Sequence, residues 1–432
     1  MLVANRGEIA VRIINECKQM GIKTVAICSE IERDSLHMQI ADEGYCIGAA
    51  TIKESYTNME AIINTALITN SDLLHPGYGF LSENVDFVQL CERHNISFIG
   101  PTSDTLTKAS DKIAVKKNAR EWQIPVLTGY TVKKLDDALI HANNIGYPVM
   151  IKVSNGGGGT GMQPVYKADE LKKSVEMLCS GENRELLIEK YIETARHIEI
   201  QIMADMYGKF VTLGNRECSI QLNNKKVLEE CPAQNLSDNL LKKLYADSLK
   251  LAKAVSYVGL GTVEFLVDEA ENYYFMEMNA RIQVEHGITE MITGINLMQW
   301  QIKIAAGERI AFTQDDITFA GHAIECRINA ETCGQINKWC FNYDEARFDH
   351  ALFSGMNVTP YYDSLLGKLI SHDQTKIDAV CKMQRYLDVL QIDGIKTNIE
   401  QQKAITNDDR FINMTYYTSF LRSVTIEKKN MK

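Results

Sequence analysis

Between Glu277 and Glu285 the chain reads Glu-Met-Asn-Ala-Arg-Ile-Gln-Val-Glu, a strict alternation of polar and apolar residues followed by His286. A period of two belongs to extended backbone, where successive side chains point to opposite faces of a sheet. One face then carries Glu277, Asn279, Arg281, Gln283 and Glu285. The solvated face of a half-buried strand ordinarily shows Lys, Thr and Ser, so this density of carboxylate and amide marks a candidate site.

The same stretch closes a hairpin. With Glu269-Ala-Glu-Asn272 as a four-residue loop, Asp268 pairs with Tyr273 and Glu264 falls directly opposite Glu277. Like charges facing each other destabilise a hairpin, and a divalent cation between them is the natural remedy. Asn279 adds a neutral oxygen on the same face. Hard oxygen ligands of this kind suit Mg²⁺ or Mn²⁺ bridging nucleotide phosphates. An exposed hairpin with an accidental carboxylate pair is the alternative.

The 432 residues exceed one compact core and predict roughly two to four domains. A net charge of −10 argues against a nucleic-acid-binding surface, which needs a basic stripe. The 11 cysteines are scattered without a Cys-x-x-Cys pair, which speaks against a disulfide framework or zinc site and for a reducing compartment. Arg6 and Glu8 stand where a signal peptide needs an apolar core, and no apolar run approaches the roughly 20 residues that span a bilayer. A cytoplasmic protein without membrane contact is expected.

Strands and helices alternate through the first hundred residues: a strand at Leu2 to Ala4, a helix from Glu8 to Met20, a strand at Thr24 to Cys28, then helices near Asn58 to Leu67 and Asp86 to His94 with strands at Asp72 to Leu74 and Ser97 to Ile99. This is a parallel α/β unit. Its first turn holds a single Gly7 and lacks Gly-x-Gly-x-x-Gly, which disfavours a dinucleotide site. Between His75 and Asn84 two glycines and a proline form a tight turn that either positions a polar tip at the sheet's carboxyl end or is purely structural.

A helix is expected from Asp111 to Gln123, ended by Pro125. Next come a strand at Val149 to Val153 and the run Gly156-Gly-Gly-Gly159-Thr-Gly161. Its unobstructed N–H groups suit a loop closing over phosphates, although flexible linkers look similar. Lys152 at the strand end and Lys112 in the preceding helix would bring point charges to those phosphates. Strands such as His197 to Met203 and a long helix from Asp238 to Val258 lead to the hairpin, and a mixed C-terminal part follows. The expected fold is α/β and α+β multidomain, divided at 1–100, a helical linker 101–125, then 126–191, 192–315 and 316–432.

Asn5-Arg-Gly-Glu8-Ile-Ala, His75 to Asn84, Ile99-Gly-Pro101, Gly146-Tyr-Pro-Val149, Glu277 to Glu285 and Pro360-Tyr-Tyr-Asp363-Ser together resemble the biotin carboxylase family of the ATP-grasp superfamily, over essentially the full length. The resemblance implies an N-terminal α/β domain, an ATP-grasp lid and core, and a C-terminal biotin carboxylase domain. It also implies a reaction in which ATP and bicarbonate carboxylate biotin on a carrier, the first half-reaction of acetyl-CoA carboxylase. No Ala-Met-Lys-Met sequence occurs here, so the biotin carboxyl carrier protein is expected to be a separate chain, with carboxyltransferase subunits as further expected partners.

Residue by residue, the resemblance assigns Lys112, Lys152 and the glycine loop at Gly157, Gly158 and Gly159 to the ATP phosphates. It assigns Glu189, Lys190 and Ile192 to the adenine pocket, and His197 and Gln221 to the ribose. Glu264, Glu277 and Asn279 match the metal ligands, and two Mg²⁺ or Mn²⁺ ions are expected. Lys226, Arg281, Gln283 and the backbone of Val284 match the bicarbonate site, Glu285 the general base, and Arg347 the arginine that stabilises the biotin enolate. Arg12 matches a position at the family's homodimer interface.

The chain also departs from the pattern. Thr160 and Gln163 replace basic lid residues, Leu222-Asn223-Asn224 replaces Arg-Arg-His, Gly287 replaces a proline at the strand exit, and Thr332-Cys-Gly-Gln-Ile-Asn replaces a Pro-Ser-Pro-Gly segment. Two readings follow: a working biotin carboxylase with a weakened lid, or a degenerate paralogue that binds nucleotide or partners with little turnover. The equivalent subunit of another biotin-dependent acyl-CoA or pyruvate carboxylase is a further form of the first. Retention of Lys226, Glu264, Glu277, Arg281, Glu285 and Arg347 favours turnover.

Overall fold

The computed structural model describes residues 1–110, 112–153, 162–178, 185–343 and 345–422. Gly157, Gly158, Gly159 and Thr160 lie outside the described residues, as does the side chain of Lys112.

The first hundred residues form a five-stranded parallel sheet in the order Glu43–Gly48, Val25–Ser29, Leu2–Val3, Leu73–His75, Ser97–Phe98. The two-residue first strand is central and fully buried. Its neighbours supply the core: Val25, Ile27, Ile47 and Leu74 pack with Ile62, Ile63 and Phe87 from the helices Met59–Ile68 and Val85–Arg93. Both helices begin on an asparagine whose side chain accepts from the third residue on, Asn58 from Ala61 N and Asn84 from Phe87 N, which fixes their starts. Sequence reasoning missed the edge strand Glu43–Gly48. Only Ile47 of its six residues is buried, so it carries little hydrophobic signal.

A second, antiparallel sheet orders Gly129–Val132, Leu186–Lys190, Val149–Val153 and Met162–Val165. The helices Leu135–Ile145 and Ala168–Leu178 contribute to its core of Val132, Ala138, Ile151, Val165, Leu171 and Ile188.

The site is built on an eight-stranded antiparallel sheet, ordered Tyr273–Asn279, Gly259–Val267, Arg196–Ala204, Phe210–Leu222, Lys225–Cys231, His322–Asn329, Leu365–Asp373 and Arg347–His350. Segments 192–315 and 316–432 thus share one sheet. The helix Asp238–Ala254 packs Leu240, Leu244 and Leu251 against Ile198, Ile200, Val263 and Phe265 on one of its faces.

The hairpin departs from expectation by two compensating steps. Asp268 Oδ1 accepts from Ala270 N (3.0 Å) and Asn272 N (2.9 Å), and Glu271 takes φ 58°, so the loop is Glu269-Ala-Glu271 and Val267, not Asp268, pairs with Tyr273. A bulge then shifts the register between Phe265↔Phe275 and Glu264↔Glu277. Glu264 therefore faces Glu277 as expected, by a different route.

The alternation after Asn279 does not continue as strand. The strand ends at Asn279, where Ala280 N donates to Glu83 Oε1 (3.0 Å) instead of to a neighbouring strand. Glu83 lies in the loop His75 to Asn84, so that loop holds a polar tip against the site. The chain then enters the helix His286–Thr293 with Glu285 at its N-cap. Gly287 consequently sits in a helical first turn rather than at a strand exit.

Candidate active site

Four cross-strand partners make the floor of the site. Arg216 lies opposite Glu199, Glu199 opposite Glu264, and Glu264 opposite Glu277, in one row over four adjacent strands. Three carboxylates in line would repel, so cations must be threaded between them. Arg216, with 0% exposure, meets Glu199 Oε2 at 3.2 Å and also donates to Gln201 (2.7 Å), Thr289 (3.0 Å), Thr262 (3.1 Å) and Gln283. Lys226 Nζ binds Glu199, Glu264 Oε1 (3.3 Å) and Glu285 Oε1 (2.7 Å). His197 Nε2 stands 3.2 Å from Glu199 Oε1 and 3.1 Å from Glu264 Oε2.

The altered segment Leu222-Asn223-Asn224 has a structural role here. Leu222 pairs with Lys225 and Gln221 with Lys226, leaving Asn223 (φ 51°) and Asn224 (φ 62°) as a two-residue turn. Both central residues have positive φ, the requirement of a type I′ hairpin, which asparagine meets better than arginine or histidine. The turn sets the register that aims Lys226 at the three carboxylates.

The sequence after the hairpin still converges on this floor although it is not strand. Gln283 Nε2 donates to Glu264 Oε1 (2.8 Å), and Asn279 Nδ2 donates to the same oxygen (2.7 Å). Arg281 bonds Glu83 Oε2 (2.9 Å) through Nε and Asn279 Oδ1 (3.1 Å) through NH2. The Val284 carbonyl accepts from Lys368 Nζ (2.9 Å), a lysine of 0% exposure that also reaches Glu8 Oε2 at 3.2 Å. Sequence reasoning missed Glu199, Arg216 and Lys368, which look in isolation like ordinary strand residues.

Burial opposes the charge on Glu285, but Lys226, Arg327 and Arg216 more than offset it and hold the carboxyl below its ordinary range. Glu199, also buried, is driven well below by Lys226, His197 and Arg216. Burial disfavours charge on His197, yet Glu264 and Glu199 raise it to about 9. Lys226 is raised well above its usual value because Glu199, Glu264 and Glu285 outweigh its burial. Lys226, His197, Glu199 and Glu285 thus favour one another's charged forms.

Glu264 and Glu277 face each other as oxygen donors that fit Mg²⁺ or Mn²⁺, while Asn279 directs its amide nitrogen at Glu264 and its oxygen at Arg281 and would add an oxygen ligand once that amide turns. The ligating atoms of His197, Glu199 and Glu264, and of Glu199, Cys218 and Glu285, also lie within 4.8 Å of one another. Lys226 bonds a carboxylate of both groups, and a cation at the Glu264 and Glu277 edge would share Glu264 with Lys226 and gain Glu277 from the facing strand.

At the other end, Glu189 is buried to 1% exposure between two lysines, Oε1 on Lys116 and Oε2 on Lys152 at 2.7 Å. Lys116, on the helix Lys112–Glu121, was not singled out from sequence, although it stands four residues after Lys112. Lys190 Nζ donates to Gly146 O (2.9 Å), and Gln221 Nε2 bonds His197 Nδ1 (2.9 Å). Ile192 follows the strand Leu186–Lys190 and is half-buried.

Two arginines meet Glu285 and the helix that it caps. Arg347 donates to Asp349 (3.1, 3.1 and 2.8 Å) and pairs with Glu290 at 2.7 Å, and none of these contacts is with Lys226, Glu264 or Glu285. Arg327 instead reaches Glu285 Oε2 at 3.1 Å while its Nε holds Glu229 Oε1 at 2.6 Å. The available signal was a second polar alternation, Glu325, Arg327 and Asn329, on the strand His322–Asn329. Arg12 pairs within the chain, with Glu16 and with Glu290 at 3.1 Å.

Residues 1–106 match the family described as "Biotin carboxylase, N-terminal domain", 111–313 that of "Carbamoyl-phosphate synthase L chain, ATP binding domain", and 325–423 that of "Biotin carboxylase C-terminal domain". The chain belongs to the biotin carboxylase family. Biotin carboxylase 1 of Bacillus subtilis is 42% identical over 443 residues, covering 99% of this chain and 98% of its own. The biotin carboxylase of Haemophilus influenzae is 43% identical over 427 residues, 95% of each chain. Among solved structures, the biotin carboxylase-beta-gamma-ATP complex from Campylobacter jejuni superposes with TM-score 0.93 at 39% identity, covering 98% of each chain. The biotin carboxylase domain dimer of 2-oxoglutarate carboxylase from Hydrogenobacter thermophilus, bound to MgADP, ADP and bicarbonate, superposes with TM-score 0.94 at 41% identity over 98% of this chain and 96% of that one. With this architecture the chain is an ATP-dependent carboxylase of the ATP-grasp ligase superfamily.

Proposed function

We propose that the lattice around Lys226 activates bicarbonate for attack on ATP and that the product carboxylates biotin presented by a separate carrier protein. The observation that carries this is the meeting of Lys226, Glu264, Gln283 and Glu285 at one point, with Arg281 at its rim. Lys226, Arg281 and Gln283 supply donors for a small oxyanion, and Glu285 is an ionised carboxylate beside it. Bicarbonate bound there competes for the Lys226 charge that now holds Glu285 down, which returns basicity to Glu285 as it takes the proton.

The bicarbonate oxygen then attacks the γ-phosphorus of ATP, ADP leaves, and carboxyphosphate forms. Mg²⁺ or Mn²⁺ on Glu264, Glu277 and Asn279 would neutralise charge on the transferring phosphoryl group. Lys152, and by resemblance Lys112 and the glycine loop, would hold the phosphates, with Glu189, Lys190, Ile192, His197 and Gln221 on the nucleoside side. Carboxyphosphate breaks to CO₂ and phosphate, phosphate removes the ureido proton of biotin, and the enolate attacks CO₂. The resemblance gives that enolate to Arg347; each arginine is already paired with two carboxylates, and we propose Arg327 as the planar cation for the enolate because it is the one that reaches Glu285.

We infer the same pairing with partners as in the family: a biotin carboxyl carrier protein, carboxyltransferase subunits and a second copy of this chain. The Hydrogenobacter domain is a dimer, which supports the last of these. No described helix is long and apolar enough to cross a membrane.

The test is bicarbonate-dependent ATP hydrolysis by the purified chain with and without free biotin. Turnover that biotin stimulates is expected, and nucleotide binding without it would leave only the degenerate-paralogue reading. A Glu285→Gln variant should bind ATP normally and lose about 10²- to 10⁴-fold in the bicarbonate-dependent rate, the scale of a general base. An unchanged rate would remove Glu285 from that role.

A further inference from the structure

Glu189 is the one carboxylate at the nucleotide end described above with a separate lysine on each oxygen, Lys116 on Oε1 and Lys152 on Oε2. Burial opposes its charge, yet the two lysines hold it ionised, down to about 2. Lys152 is therefore engaged before nucleotide arrives. If it is to meet a phosphate it must leave Glu189, and a carboxylate with 1% exposure cannot turn to water for a substitute.

We infer that Lys116 is a positioning residue that keeps Glu189 charge-balanced so that Lys152 can exchange this carboxylate for a phosphate of ATP. The inference rests on the reading of Lys152 as a phosphate ligand. Three geometric facts support it. Lys116 sits on a helix and Lys152 at the end of a strand in the lid sheet, so they approach Glu189 from different elements and one can move without the other. Lys116 is the more enclosed, with 13% of its side chain exposed against 20% for Lys152, which makes Lys152 the one with a path outward. The helix that carries Lys116 also packs against the strand Tyr273–Asn279, which carries Glu277 of the proposed metal edge. The arrangement offers a compensation for the basic residues the lid lacks at Thr160 and Gln163: the remaining lysine is made releasable at small cost.

The role predicts a split between binding and turnover. In Lys116→Met, Lys152 is the sole cation on Glu189 and is pinned there, so the KM for MgATP in bicarbonate-dependent hydrolysis should rise about 10- to 100-fold, the scale on which a buried carboxylate resists losing its last partner. The kcat at saturating ATP should stay within about threefold. Lys116→Arg should keep a near-normal KM. Glu189→Gln removes the carboxylate that does the pinning at whatever cost its own nucleoside contact carries, so adding Lys116→Met to Glu189→Gln should change the KM no further than Glu189→Gln alone does; this double variant also leaves no unpaired buried charge, which keeps the test open if the single variant folds poorly.

Lys152→Met separates the two claims. If Lys152→Met raises the KM while Lys116→Met leaves it unchanged, the positioning role is overturned and Lys152 keeps its assignment. If Lys152→Met itself binds ATP normally, the phosphate-ligand reading fails. A Lys116→Met defect that is as large in the Glu189→Gln background as in the parent overturns the exchange and makes Lys116 a direct contact of the nucleotide.

Discussion

Arg327 and Arg347 can be told apart because their acidic partners respond differently to losing an arginine. Arg327 holds Glu229 and Glu285. Burial raises Glu229 to about 7 even against Arg327, so at neutral pH it is near half-protonation and can take up a proton if the arginine goes. Glu285 still keeps Lys226 at 2.7 Å. Arg327→Met should therefore cost only about 1–2 kcal/mol, the worth of charge-assisted hydrogen bonds, and not the cost of a stranded carboxylate. Arg347 is bound to Glu290 and Asp349, whose charge burial opposes but which Arg347 and its neighbours hold down, Glu290 to about 2 and Asp349 well below the usual range. Neither can protonate near pH 7, so Arg347→Met should cost about 3 kcal/mol or more. Activity should run the other way. Removing a planar cation aimed at a developing oxyanion loses about 10²- to 10³-fold, so Arg327→Met should abolish biotin-stimulated phosphate release while Arg347→Met, measured on the folded fraction, keeps it within about threefold. Urea denaturation at pH 7 reads the first quantity and steady-state phosphate release with and without free biotin the second. Loss of biotin stimulation in Arg347→Met together with its survival in Arg327→Met would refute the assignment and return the enolate to Arg347.

Two further expectations test the scaffold. Glu229 has a folded value above its ordinary 4.5, so its contribution to stability is fully present below about pH 4.5 and is lost as pH rises through about 7. Glu229→Gln should flatten the fall in urea midpoint between about pH 5 and pH 8 relative to the parent, by up to about 3 kcal/mol for a shift of that size; parallel curves would place Glu229 among ordinary ionised carboxylates. At the Asn223-Asn224 turn, replacing both residues by alanine should cost about 1–2 kcal/mol for each positive φ, whereas Asn224→Gly should be nearly neutral. If the double alanine variant melts with the parent, or binds bicarbonate as well despite a lower melting temperature, the turn does not set the register of Lys226.

How far the sequence revealed the molecule depends on whether a feature rests on periodicity or on tertiary capture. Helices with asparagine caps and a 3.6-residue stripe, such as Met59–Ile68 and Val85–Arg93, lie within a residue of their expected bounds, because both signals are local. The pairing of Glu264 with Glu277 was legible for a less secure reason: the shorter loop and the bulge shift the register in opposite senses. The strand end at Asn279 was not legible, since it depends on Glu83, nearly two hundred residues earlier, taking the Ala280 N–H. Cross-strand neighbours show the same limit. Glu199 and Arg216 become partners only when two strands align, and nothing in either strand's own pattern names the other. Arg327 is the instructive case. Its strand carries the same alternation of polar residues that singled out Glu277 to Glu285, but without a like-charged partner within a hairpin the pattern gave no distance to compute. Charge patterns are readable where a turn fixes the register, and elsewhere the fold must supply the partner before the chemistry can be assigned.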